Sequence, residues 1–363
     1  MKIGILTFHR AHNYGAVLQA YALVTYLINC GLEAEIVDYR PEAIEGAHGT
    51  IPWGGIKRMS VKGKIKFLIK ILPFIFLRYK RAKVFEKFID ALPTSSKTYT
   101  SKDKEICNYD YLVSGSDQVW NPYITRGFDP FYTGQIKTDA KFISYAASAE
   151  ITPKQNAIEE YKGILNNFER ISVRESIFQK QLSSLTGKKI EQVLDPIFLL
   201  TPEQWKGFSI KPFNDEPYIL VYQVKRDANV LRYAHELAAA HHCCVKEITA
   251  EAEFFPNSER YVSLSPQEFV GAFVNAKMVV TTSFHGTAFS VMFEKPFVTM
   301  MFGTPGDYRA LDLMKTLGIE GATITPSSKG AEFVCKPTVA MNLVKMLNVS
   351  KSYLEFDVLF NKY

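Results

Sequence analysis

Short, mostly apolar runs alternate with amphipathic stretches along most of the chain. Ile3 to Phe8 reads as a buried strand, and the polar loop HRAHNYG follows it. From Ala16 to Ile28 apolar residues fall at helical spacing: Val17, Leu18, Tyr21, Leu23, Val24, Leu27 and Ile28. Gly31 stops that helix, and Ala34 to Val37 reads as a second strand, the opening of a doubly wound βαβ unit. After a Gly- and Pro-rich loop (41–55) comes a basic, partly amphipathic segment in which Pro73 must break or kink any helix. The strand–helix rhythm then returns. Predicted strands at Tyr111–Val113, Phe142–Ala146, Ile171–Val173 and Gln192–Leu194 run into the polar clusters GSDQVW, ASAE, RES and DP. Ligands of open α/β sheets bind at the carboxyl ends of strands, so four such clusters carry more weight than any one.

Thr201 to Pro217 reads as a crossover into a second α/β half. That half is predicted to hold strands at Tyr218–Val221, Cys243–Ile248, Lys277–Thr281 and Phe297–Met301, with helices over Asn229–Ala239 and Ala288–Phe293. Ser265-Pro266-Gln267-Glu268 is a helix start, with a capping hydroxyl, a proline in the first turn and a glutamate three residues on. The tail, from about Val339, is expected to be helical and to return to the first domain. The expected division is therefore 1–200, carrying a basic helical insertion at about 56–90, then 201–330, then a tail over 331–363. A cleft between two such halves is the default ligand site.

Composition changes this picture little. Hydrophobic residues make up 47% and charged residues 22%, as in ordinary globular chains. The formal charge of +6 favours anionic ligands without naming nucleic acid, and no nucleic-acid module is recognisable. Five cysteines without a CxxC, and an N-terminus that starts as a strand rather than a signal peptide, lead to the expectation of a reduced, cytoplasmic setting. No apolar run reaches the ~18 residues that span a bilayer. His241, His242, Cys243 and Cys244 resemble metal ligands only at first sight. Neighbouring strand residues point to opposite faces, so no metal site is expected there. The segment Lys57–Lys87 reads as a solvated helical pair, as a peripheral contact with an anionic membrane face, or as a nucleic-acid surface, the last without a recognisable module to support it.

Candidate chemistry gathers at the strand ends. In TTSFHGTAFS (281–290), Thr282, Ser283, His285 and Gly286 stand where a strand gives way to a helix, whose free N–H groups favour an anion. The plain reading is a cap with a buried histidine; the sharper one is a proton-transferring corner of an enzyme. In NYGAVLQ, Asn13 is a candidate cap and Gly15 a point of close backbone approach. In GSDQVW, Asp117 and Gln118 suit sugar hydroxyls or, for Asp117, a base; Trp120 either stacks on a sugar or fills core. Arg174 and Arg309 are candidate clamps for carboxylate or phosphate, and the competing reading of Arg174 is a salt bridge to Glu175. Asp195-Pro196 reads as a turn.

Taken together and in order, NYGAVLQAYAL, VSGSDQVWNP, ISYAAS, ISVRE, VLDPIFLL, LSPQEFV, TTSFHGTAFSVMFEKPFV and RALDLMKTLGI resemble the polysaccharide pyruvyl transferase family over about residues 1–320. The resemblance implies an α/β fold of two Rossmann-like domains facing a cleft in a GT-B-like arrangement. It implies transfer of the enolpyruvyl group of phosphoenolpyruvate to a sugar of a cell-surface polysaccharide, carried on a lipid or a nucleotide, with formation of a cyclic ketal. Phosphoenolpyruvate would be a co-substrate, and no cofactor is implied. The family's histidine falls on His285, and Arg174 and Arg309 are matched to its donor-side arginines. On this reading His285 is general acid or base and Asp117 activates the hydroxyl. Thr282, Ser283 and Gly286 shape the donor pocket; Asn13, Gly15 and Gln118 contact sugar or donor. A sugar-nucleotide-dependent GT-B glycosyltransferase and a noncatalytic polysaccharide or lipid-carrier binding protein are the competing classes.

Overall fold

The computed structural model describes residues 1–44, 60–149, 155–224, 226–249, 259–319, 321–328 and 341–356. In the first half, β1 (Lys2–Leu6), β2 (Glu33–Arg40), β3 (Thr94–Thr100), β4 (Tyr111–Ser114) and β5 (Lys141–Ser144) form a parallel sheet in the order β3-β2-β1-β4-β5. The short pair β6 (Ile171–Val173) and β7 (Ile190–Gln192) extends it through single bridges from Ile143 to Arg170 and from Ala147 to Val173. The second half repeats the plan. There β8 (Tyr218–Gln223), β9 (Cys244–Thr249), β10 (Glu259–Tyr261), β11 (Met278–Thr281), β12 (Phe297–Met300) and β13 (Thr323–Ile324) run parallel in the order β10-β9-β8-β11-β12-β13. The first order is 3-2-1-4-5 and the second 3-2-1-4-5-6, both doubly wound, which places a crevice where the strand order reverses.

Parallel strands covered on both faces must be apolar throughout, and all six residues of β8 are buried. The helix α1 (Tyr14–Asn29) is buried along most of its circumference because it lies between the first sheet and the second half. Trp205, fully buried in the short helix Pro202–Phe208, closes the joint: its ring meets Tyr21 of α1 and Phe289 of the second half, and its Nε1 donates to Ile197 O at 2.8 Å. The predicted crossover is thus in part a helix. The C-terminal helix Met341–Tyr353 lies against the first half, where Ser350 Oγ accepts from Leu194 N and Phe356, just beyond the helix, meets Tyr111 edge-on.

Within the basic segment, residues 56–59 lie outside the described residues. Beyond them α2 (Val61–Ile71) and α3 (Ile75–Asp90) are separated by a tight turn, Leu72–Phe74, at Pro73. The proline has no N–H to continue the helix, which is the break its position predicts. β3 has the sequence TSSKTYT, a polar edge strand without the apolar run that marks its neighbours. The helix predicted from Ala288 in fact begins at Phe284, which brings His285 into its first turn. Among the described residues no helix is long and apolar enough to cross a membrane.

Because Trp205 fills the joint from both sides, Trp205→Ala is expected to lower unfolding free energy by about 3–5 kcal/mol in urea denaturation. A loss under about 1 kcal/mol would show that the halves do not depend on it.

Candidate functional site

A cavity of about 480 Å³ opens between the two halves. It lies at the carboxyl ends of β1 and β4 from the first sheet and of β8, β11 and β12 from the second, and its size is that of a small-molecule site. Asn13, Asp117, Gln118, Thr282, Ser283, His285 and Arg309 all line it, so the structure brings together most of the residues singled out from the sequence.

The position of His285 follows from local chemistry. At the end of β11, Thr281 Oγ1 donates to Tyr222 O and accepts from Ser283 N, which turns the chain off the sheet and into the helix Phe284–Met292. Ser283 occupies the N-cap position, but its side chain makes no capping bond. The first-turn N–H groups lack intrahelical partners by geometry and face a ligand-sized space. In the first half, Asn13 Oδ1 accepts from Gly15 N at 2.9 Å and Ala16 N at 3.4 Å and so starts α1. The imidazole lies directly against Gly15: a Cβ there would sit 2.1 Å from His285 Nδ1. Gly15 therefore seats the histidine. Gly286 likewise makes a close approach within the protein. A Cβ on it would come within 2.1 Å of Thr281 Oγ1, so it lets the helix press against its own strand.

Behind the cavity wall sits a charged network. Asp195, fully buried, follows β7 and caps the next turn through Oδ1, which accepts from Ile197 N at 3.1 Å. Its Oδ2 accepts from Arg174 Nη1 at 2.9 Å and from Ser116 Oγ at 3.1 Å. The same oxygen lies 3.6 Å from His285 Nε2, an ion-pair distance too long for a hydrogen bond. Burial alone would raise the Asp195 carboxyl, but the neighbouring His285 imidazole and Arg174 guanidinium outweigh it and hold the group well below the usual carboxylate range.

Arg174 corrects the sequence expectation. It does not line the cavity: Nε donates to Glu175 Oε1 at 2.8 Å, Nη2 donates to Ser148 Oγ at 3.0 Å, and the guanidinium stacks 4.1 Å over Phe284. Burial disfavours its charge, yet Glu175 and Asp195, and then Asp117, keep it protonated. Its three nitrogens are committed inside the protein, so it positions Asp195 and Phe284 rather than clamping a donor. Trp120 is likewise core, with Nε1 donating to Tyr132 O.

Asp117 adopts φ 76°, a left-handed conformation that aspartate tolerates, and its Oδ1 accepts from Gln118 N. Gln118 is held in turn by Asn121, whose Nδ2 donates to its Oε1. Two cavity cations come from the second half. Arg309 stands near the start of the helix Tyr308–Leu317, and Arg226, after β8, donates from Nε to the buried Glu247 at 3.0 Å. Sequence reading passed over Arg226, although a basic pair directly after the apolar run YILVYQV repeats the strand-end signal. It also took Asp195 for a turn alone. An acid flanked by Val193, Leu194, Pro196 and Ile197 was the available sign of a buried, paired charge. Among the described residues no group of three or more His, Cys, Asp or Glu side chains is placed to hold a metal ion.

The sequence profile described as polysaccharide pyruvyl transferase matches residues 13–301. Among solved structures, UDP-N-acetylglucosamine 2-epimerase from Rickettsia bellii matches with a TM-score of 0.52 at 10% identity, covering 99% of this chain and 96% of that one. The Methanocaldococcus jannaschii UDP-GlcNAc 2-epimerase in complex with UDP-GlcNAc and UDP gives 0.49 at 11% identity, covering 96% and 92%. The E. coli heptosyltransferase WaaC with ADP gives 0.40 at 12%, covering 98% and 99%. At these identities the likeness is one of fold: two Rossmann-like sheets facing a cleft in the GT-B manner. No curated protein matches the chain.

Two outcomes follow from the geometry. Asp195→Asn removes the charge that Arg174 and His285 share and is expected to cost about 3–5 kcal/mol at neutral pH. Since the native carboxyl is depressed, its contribution is complete above about pH 4 and fades as pH falls toward the native value, so wild type and variant should converge in acid denaturation. Gly15→Ala should displace the imidazole while leaving the circular dichroism spectrum unchanged; a variant with the wild-type His285 NMR signals would contradict the seating argument.

Proposed function

The chain belongs to the polysaccharide pyruvyl transferase family, and from that premise we propose that it moves the enolpyruvyl group of phosphoenolpyruvate onto a sugar of a cell-surface polysaccharide or its precursor. The observation that carries the reading is His285, held in the first turn of a helix at the cavity wall with a buried carboxylate behind it. Ketal formation begins with a proton delivered to the methylene carbon of the donor. A sugar hydroxyl then attacks the central carbon, the C–O bond to phosphate breaks, and a second hydroxyl closes the ring. The methyl carbon gains one proton, the two hydroxyls give up theirs, and phosphate leaves with the electron pair of the broken bond.

His285 supplies or relays the proton, and Asp195 steadies the imidazolium, with Arg174 fixing Asp195 in turn. The carboxylate and phosphate of the donor meet Arg309, Arg226 and the N-terminus of the helix Phe284–Met292. Thr282 and Ser283 border that same corner. Asp117, also on the cavity lining, accepts the proton of the attacking hydroxyl, and Asn13 and Gln118 contact the sugar or donor. The cavity exceeds what phosphoenolpyruvate alone requires and leaves room for the sugar.

The same cavity supports a second reading, a sugar-nucleotide-dependent GT-B enzyme. The observation that favours it is the grouping of Arg226, Arg309 and a helix N-terminus on the second half, which suits a pyrophosphate. A noncatalytic binding protein accounts less well for His285 on the wall of an open cavity.

Phosphate release measured with phosphoenolpyruvate against a panel of lipid-linked and nucleotide-linked sugars separates the two readings. Release dependent on one acceptor is the expected result. Calorimetric affinity for a nucleoside diphosphate sugar, with none for phosphoenolpyruvate, would transfer the assignment to the second. His285→Ala should lower turnover about a hundred- to ten-thousandfold with donor affinity retained. Wild-type turnover in that variant would remove His285 from the mechanism.

A further inference from the structure

The α2–α3 hairpin carries an apolar stripe that is exposed among the described residues. Val61, Ile65 and Ile69 recur every four residues on α2 and are 73%, 53% and 66% exposed. The stripe continues through the turn at Leu72, 68% exposed, to Phe76 on α3, 71% exposed. None of the α2 residues whose burial is described is buried. On the helical wheel Lys62 and Lys64 flank the stripe on either side, and Lys80 and Lys83 follow on the exposed face of α3. No acidic residue occurs from Gly46 to Phe85. Single exposed aliphatics are ordinary, but a periodic stripe bordered by cations is not.

We propose that this hairpin docks the protein on an anionic membrane surface, with the stripe sunk among the lipid chains and the lysines at the headgroups. Charge selects this occupant. A second copy would bring two basic hairpins together. A nucleic acid would engage the lysines and leave the aliphatic side chains with nothing to bury against. Only a surface that is anionic outside and apolar beneath satisfies both features.

The root of the hairpin ties it to the site. Arg81, buried on α3, donates from Nη2 to His12 O at 2.9 Å and from Nη1 to Val262 O at 2.7 Å. The ring of Phe85 stacks on His12. His12 adjoins Asn13 on the cavity wall, so the docked hairpin holds the cavity beside the bilayer. Docking itself stands on the hairpin alone. The consequence that the sugar acceptor is lipid-linked rests on the pyruvyl-transfer reading.

Flotation of the full-length protein with vesicles tests this, comparing phosphatidylcholine alone with phosphatidylcholine containing phosphatidylglycerol, at low and high salt. The expected result is binding to the anionic vesicles only, weakened about tenfold or more at about 1 M salt. The double variant Ile65→Asp/Phe76→Asp should bind about tenfold less or weaker still. Its thermal melt, and its phosphate release from phosphoenolpyruvate with a water-soluble acceptor, should stay at wild-type level. Equal binding to neutral and anionic vesicles, or an unaffected double variant, would overturn the proposal. So would absence of vesicle binding together with a dimer, or a nucleic-acid complex, that the double variant abolishes. Should the double variant melt early, Lys62→Glu/Lys64→Glu serves in its place, with the same loss expected and an unchanged affinity overturning the proposal. Vesicle binding without any turnover of phosphoenolpyruvate would leave docking intact and refute the chemistry alone.

Discussion

A carboxylate with no access to solvent has to be neutralised where it stands, and around Asp195 this requirement orders the rest of the site. Its oxygens take the Arg174 guanidinium, the Ser116 hydroxyl and the Ile197 amide, and its remaining neighbour is the His285 imidazole. Arg174 answers to a second carboxylate, Glu175, so two acids face one guanidinium and the imidazole completes the cluster. The partners come from far along the chain: Ser116 follows β4, Arg174 follows β6, Asp195 follows β7 and His285 follows β11. The Asp195–His285 pair forms only when both halves are in place, so the imidazole is oriented by the same contact that joins the sheets. The hydrogen bond from Ser176 N to Asp312 and that from Gln192 to Thr316 reinforce the joint on the same side.

The first half's contact with that imidazole depends on a missing atom. Gly15 gives the imidazole its seat because any side chain there would occupy the ring's own volume. Asn13, two residues earlier, caps α1, so a capped helix start in the first half and a first-turn histidine in the second meet at the cavity. Helix N-termini from both halves point into one space, and their dipoles favour an anionic ligand without any need for a large net charge. The modest +6 of the whole chain is thus a poor guide to the field at the site.

What the sequence displays most clearly is whatever burial on two sides imposes. β1, β4, β8 and β11 are read without difficulty because their covered faces demand continuous apolar runs, whereas β3 escapes notice as TSSKTYT at a sheet edge. The doubly wound, two-halved fold follows from that repeated pattern, and the family's motifs add the GT-B-like arrangement. Strand-end clusters lead to His285, Asp117, Gln118, Asn13 and Arg309 because topology alone brings strand ends together. Arg174 shows the limit of the approach. Being at a strand end places it near the site, but its direction is set by Glu175 and Asp195, and the second of these lies 21 residues away. Gly15 and Gly286 are both legible as close approaches; what approaches them is protein, and that is decided only in three dimensions.

Fold and reaction remain separate questions in this architecture. A helix N-terminus with arginines nearby binds a pyrophosphate as readily as the phosphate of an enol ester, so the GT-B frame is neutral between them. Discrimination must come from what stands at the reacting carbon. Transfer from a sugar nucleotide needs charge stabilised on the leaving diphosphate and a base for the acceptor. Ketal formation needs, in addition, a proton delivered to carbon. Only a group that can be reprotonated between turnovers meets that need, and it must be held rigidly enough to face a carbon atom that offers no strong hydrogen bond of its own. An imidazole pressed against a glycine on one side and backed by a buried carboxylate on the other is held in that way, which is what the pyruvyl-transfer proposal asks of the position.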